Sequence, residues 1–165
     1  MPISPEQGGV PEVREVGKNR ERLLELEGEG KYVFHGSLED IDTLEPQQAH
    51  RENKETGEME KDGDPAVFGT PHADLAIFRA LTNSKLPDSR SSFGTDDEGK
   101  LQFSATKNIL DEAEKKIGKI YVLDKDNFED DERGMESRSE VKNTPIEVIE
   151  VTTDDLSPDV QVIEE

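Results

Sequence analysis

Apolar residues occur in short bursts along this chain, and the spacing within each burst predicts an element. KYVFHG, residues 31–36, is dense in aromatic and β-branched residues and reads as a short buried strand with His35 at its end. PAVFGT, residues 65–70, reads as a second strand. TPHADLAIFRAL follows as a helix, with Thr70 at the N-cap and Pro71 at the first helical position, where a missing N–H costs nothing. Ala73, Ala76, Ile77, Ala80 and Leu81 recur there at i, i+3, i+4, i+7 and i+8, while Leu75 and Phe78 widen the stripe, so this helix is expected to be packed on most sides. SSFGTDDEGKLQFSA predicts a hairpin turning at DDEG. TKNILDEAEKKIG predicts a helix ended by Gly118 with Asp111–Lys115 and Glu112–Lys116 pairs, and KIYVLDK and PIEVIEVT predict two more strands. A weaker pattern of leucines predicts a helix from about Lys18, broken between Gly28 and Gly30.

The polar stretches between these bursts set the organisation. Residues 1–12, with three prolines and two glycines, read as a flexible leader, residues 13–155 as a single domain and residues 156–165 as an acidic tail. SLEDIDTLEPQQAHRENKETGEMEKDGD is hydrophilic after Pro46 and reads as a long loop with at most one helical turn. DNFEDDERGMESRSEVKNT reads as an exposed acidic connection. The fold class expected is α+β, with strands dominating and two or three helices.

Charge narrows the function classes. Forty acidic against twenty basic residues leave a formal charge of −20, which repels the phosphates of nucleic acids and anionic lipids, so binding to either is not expected. The chain has no cysteine, which excludes disulfides, thiolate zinc sites and cysteine nucleophiles, and makes the cytoplasm the expected compartment. The first residues lack a basic start and an apolar core, and no apolar run approaches the roughly 20 residues that span a bilayer, so neither export by that route nor membrane insertion is expected.

The word FHGS, Phe34 to Ser37, is the informative local motif: an imidazole at a strand end beside a glycine offers a side-chain group and unhindered backbone groups to a flat polar ligand. A strand carrying Phe68 and a capped helix of small and apolar residues follow, and Glu136 stands nine residues before Pro145 and the strand IEVIEV. In this order the chain, over residues 31–152, resembles the ADP-ribosyltransferase superfamily, in particular the diphtheria toxin and poly(ADP-ribose) polymerase branch. The resemblance implies a split β-sheet sandwich that binds NAD as substrate and passes ADP-ribose to an acceptor the sequence does not identify, a protein or a small molecule. It assigns His35 to the adenosine-side ribose, the backbone of Gly36 to the nicotinamide carboxamide, and Ser37 to the end of the same motif. Phe68 stands where the toxin branch stacks a tyrosine on nicotinamide, without that tyrosine's hydroxyl. Thr70 and Ala76 follow the family's turn and helix pattern, Ala76 replacing a serine, and Phe78 lies near a second aromatic wall. Glu136 is the implied catalytic carboxylate, which would stabilise the positive charge that forms as the glycosidic bond breaks. Glu140 is the fallback.

Other site readings fare worse. His35, His50 and His72 lack the spacing or companion thiolates of a specific zinc site, so no metal is expected. The run from Asp124 places Phe128, Glu129 and Met135 where a calcium loop needs a ligand, a glycine and a bidentate glutamate. GEGKYV lacks the third glycine of a dinucleotide fingerprint, and neither a phosphate loop nor a G-x-S-x-G elbow occurs. Two alternatives stay beside the transferase: a non-catalytic acidic interaction protein that keeps the fold, and an NAD-dependent RNA 2′-phosphotransferase, which the charge of −20 disfavours.

Overall fold

The burst pattern folds into a mixed α+β architecture in the computed structural model, which describes residues 18–47, 50–61, 65–82, 86–132 and 134–163. Among them lie helices α1 (Lys18–Glu29), α2 (Ala73–Thr82) and α3 (Lys107–Ala113). The strands are β1 (Tyr32–Ser37), β2 (His50–Glu52), β3 (Met59–Lys61), β4 (Val67–Gly69), β5 (Ser91–Thr95), β6 (Leu101–Thr106), β7 (Gly118–Asp124), β8 (Glu129–Asp130), β9 (Ser137–Ser139), β10 (Glu147–Val151) and β11 (Gln161–Ile163). They form four small sheets in the orders β1-β7-β10, β11-β6-β5, β2-β3 and β4-β9-β8. The pairings are antiparallel except β11 with β6, which is parallel.

β7 is the central strand of the first sheet, and the middle of its run GKIYVLD, Ile120 to Leu123, is continuously apolar because both of its faces are covered. On one face Ile120 and Val122, with Phe34, Ile149 and Val151, pack against Ala76, Ile77, Ala80 and Leu81 of α2 and Leu23 and Leu26 of α1. On the other, Tyr121 and Leu123 meet Val67 and Leu44. A second cluster joins Leu75 and Phe78 of α2 to Phe103, Ala105, Ile109 and Met135. α2 therefore lies between two clusters, with Leu75, Ile77, Phe78 and Leu81 at most 2% exposed, each burial stabilising by roughly 1.5–3 kcal/mol.

The structure departs from the sequence expectation in five places. The hydrophilic stretch after Pro46 contains the β2-β3 hairpin: Asn53 Oδ1 accepts from the Glu55 and Thr56 N–H groups, and Gly57 at φ 74° closes the turn onto the Asn53 carbonyl. α2 begins at Ala73 rather than Pro71, because the Thr70 hydroxyl accepts from the His72 N–H and the Glu27 carboxylate caps the Ala73 N–H at 2.8 Å. α3 ends at Ala113 and Gly118 opens β7; the ion pairs are Lys107–Asp111 and Glu112–Lys115. The acidic connection is not simply exposed: it supplies β8 and β9 and buries Met135, Ser137, Ser139 and Asn143. Residues 156–163 are no tail. Leu156 packs on the core, Asp155 is fully buried in a capping box with Thr152, and β11 adds to β6. The leader, residues 1–12, lies outside the described residues. Among the described residues no helix is long and apolar enough to cross a membrane.

Candidate functional site

β1 and β4 touch through one reciprocal pair and then part. Phe34 and Thr70 exchange backbone hydrogen bonds of 2.8 and 2.9 Å. Successive residues of a strand turn their N–H and C=O groups to opposite edges, so Gly36 directs its pair to the same edge as Phe34, the one facing β4. Instead of a ladder there, the imidazole of His35 bonds β4: its Nδ1 lies 2.6 Å from the Phe68 carbonyl. A carbonyl only accepts, so Nδ1 carries the hydrogen, and in the neutral ring Nε2 is the acceptor. Burial pushes the His35 pKa below the ordinary 6.5; the Phe68 carbonyl opposes this and the nearby Arg79 charge adds to it.

The parting leaves a cleft of about 630 Å³ between β1, β4, α2 and β5, walled by His35, Gly36, Phe68, Ala76, Arg79 and Phe93. A second hollow of about 330 Å³ shares His35 and Phe68 with it and continues past Ser37, Ile41 and Gln47. Volumes of this size match small-molecule sites. Tyr121 orders the start of the second hollow, its hydroxyl donating to the Glu39 carbonyl and accepting from the Ile41 N–H at 2.8 Å.

The residues singled out from the sequence take different places here. His35, Gly36 and Phe68 meet at the cleft, and Arg138 on the paired strand lies with Cζ 5.9 Å from the Phe68 ring centre. Thr70 reaches the cleft wall but is 1% exposed and its hydroxyl is engaged by His72. Phe78 borders the cleft from the core side, 2% exposed and tilted against Phe103 with 5.0 Å between ring centres. Ser37 belongs to the second hollow, its hydroxyl accepting from the Glu39 N–H. Glu136 immediately precedes β9, whose Ser137 pairs with Gly69, and its Oε2 lies 3.3 Å from Arg79 Nη2. Glu140 is exposed past the opposite end of β9.

Sequence reasoning missed Arg79 and Phe93. Ala76, Arg79 and Thr82 recur every three residues and line the cleft together, so helical period was the available signal for Arg79. Phe93 stands in a polar strand with no such signal. Arg79 Cζ lies 4.8 Å from the Phe93 ring centre, a stacked cation–π contact.

His72 ties the segment before Glu136 to the two helices: Nε2 lies 2.8 Å from the Gly134 carbonyl and Nδ1 3.9 Å from Glu27. The nearby Glu27 carboxylate raises the His72 pKa above 6.5 against the effect of burial. Burial pushes the Glu27 carboxyl upward, but the nearby His72 imidazole and the hydrogen bond from the Ala73 N–H outweigh it and hold it below its ordinary value. A raised histidine stabilises the fold fully below 6.5 and loses that contribution as pH climbs through the raised value. A depressed carboxyl contributes above its ordinary 4.5 and loses it on acidification. The pair is therefore strongest between those two values. His35, depressed, favours the fold above 6.5 and opposes it on acidification. Imidazole-detected NMR titration, assigned with His72→Gln and His35→Gln, should show His72 protonating at higher pH than His35; the reverse order would contradict both environments.

Among the described residues no three metal-ligating side chains gather. No family model, curated protein or solved structure matches the chain.

Proposed function

We propose that the chain is an NAD-binding, cytoplasmic protein of the ADP-ribosyltransferase kind, which cleaves the nicotinamide glycosidic bond and passes ADP-ribose to a protein, a small molecule or water. The observation that carries this reading is the convergence on one cleft of His35, Gly36 and Phe68, with Glu136 brought to α2 by the β4-β9 pairing, from positions 35 to 136 of the chain. The family's split sandwich is the finer fold this reading adopts; the parting of β1 from β4 after Phe34–Thr70 supports it.

In this reading the outward N–H and C=O of Gly36 hold the carboxamide, Phe68 faces the nicotinamide ring, and His35 Nε2 accepts from a ribose hydroxyl in the second hollow. Glu136 accepts from the nicotinamide ribose and opposes the positive charge at its anomeric carbon. The C–N bond breaks with its electron pair going to nicotinamide, and the acceptor's nucleophile then bonds that carbon and loses a proton. A fixed negative group aimed at developing positive charge is the effective element.

The test is nicotinamide release from NAD by the purified chain, with ligand-observed NMR on the same samples. Release that depends on Glu136 is expected. His35→Ala should weaken NAD binding by at least tenfold, of the order of one lost hydrogen bond to a buried partner, and should also lower the melting temperature by a few degrees, since the Phe68 carbonyl loses its donor. Two observations favour the second reading, a non-catalytic acidic interaction protein: Phe68 carries no hydroxyl, and Glu136 is already paired with Arg79. Neither release nor NAD binding would leave that reading standing.

A further inference from the structure

We infer that Arg79 is a positioning residue for Glu136, an inference that rests on the NAD reading above. Its backbone is fixed because α2 is buried along most of its length. Its guanidinium is braced a second time by the Phe93 face of β5, at 4.8 Å. From that platform Nη2 reaches Glu136 Oε2 at 3.3 Å. The Glu136 side chain is 37% exposed, so a carboxylate without this partner is free to turn to solvent.

The tie with Arg79 occupies one carboxylate oxygen and leaves Oε1 for a ribose hydroxyl, within the acceptor capacity of the group. A planar guanidinium can lie on an aromatic face and present an N–H edge at once, which the flexible ammonium of lysine does not reproduce. Arg79 thereby joins α2, β5 and the segment before β9 around one oxygen pair. The carboxylate's placement, as well as its presence, then sets the rate.

The experiment compares Arg79→Ala, Arg79→Lys, Phe93→Leu and Glu136→Gln with the full chain, each checked for melting temperature and for NAD binding by NMR. Arg79→Ala should lower kcat for nicotinamide release roughly 10- to 100-fold, as misplacement of a reacting group does, with KM changed less than about twofold. Arg79→Lys should recover part of the rate and Phe93→Leu should lose part of it. The deciding measurement is the double variant: Arg79→Ala with Glu136→Gln should be no slower than Glu136→Gln alone, since the two residues act as one unit. Multiplied losses, faster release from Arg79→Ala, or an effect confined to KM would each overturn the role. Wild-type release by Arg79→Ala beside loss in Glu136→Gln would sink the Arg79 inference alone. No release by the unaltered chain, or undiminished release by Glu136→Gln, would sink the reading beneath it.

Discussion

Replacing Glu136 with glutamine is expected to lower nicotinamide release roughly 100- to 1,000-fold, the loss typical of removing one preorganised charge-stabilising group. Glutamine keeps the length, the planar end and an oxygen able to accept from Arg79, and lacks only the negative charge. The fold should not register the change. Glu136 is more than a third exposed, its partner Arg79 is close to a third exposed, and ion pairs this exposed contribute about 0–1 kcal/mol. The backbone bond that shapes its turn, from Asp131 N–H to the Glu136 carbonyl, does not involve the side chain. Kinetics and melting temperature should therefore separate: a large drop in kcat, an unmoved transition, and NAD still visible by ligand-observed NMR. Equal release by both proteins would end the case for Glu136. A fall in melting temperature accompanying the loss would make it a structural acid among the forty in the chain.

What was legible in the sequence is what depends on strong local pattern. α2 and β7 were readable because a helical stripe and a continuous apolar run are each dictated by burial on more than one side. The β2-β3 hairpin was not, since its strands HRE and MEK are polar and its turn is specified by Asn53 and Gly57 alone. β11 was missed for a related reason: three residues near the chain end gain their place by pairing with β6, information that lies some sixty residues away. In the site, His35 and Gly36 of the FHGS motif do border the cleft, but β1 runs on to Ser37, so His35 is an interior residue of the strand whose Nδ1–H meets the Phe68 carbonyl. Phe78 and Arg79 both border the cleft, but Phe78 does so from the core, packed against Phe103, while Arg79 is the more exposed of the two. A one-residue step along a helix turns a side chain by about 100°, and sequence resemblance does not fix that step.

Gly36→Ala should be the most destabilising of the single changes considered, costing about 3 kcal/mol, the upper end of ordinary overpacking. A Cβ at Gly36 would sit inside contact distance of the Ala76 carbonyl oxygen and 3.0 Å from the Ala80 Cβ. Those atoms belong to the buried face of α2, so relief requires the helix to move off β1, through the cluster that holds Phe34, Ile77 and Leu81. For a domain of this size the shift corresponds to a melting temperature lower by about 6–12 °C. Gly94→Ala is the control: nothing lies within 4 Å of the added carbon and the glycine has no positive φ, so it should be neutral or slightly stabilising. A melting temperature unchanged by Gly36→Ala would show that α2 does not press on β1 as described. The expected result carries a consequence for the motif itself. The absence of a side chain at Gly36 is demanded by the packing of α2 whether or not a ligand ever reaches its backbone, so this glycine cannot by itself argue for NAD. His35 is the better probe of that reading, because its Nδ1–H is committed to the Phe68 carbonyl and the residue borders both the cleft and the hollow beside it.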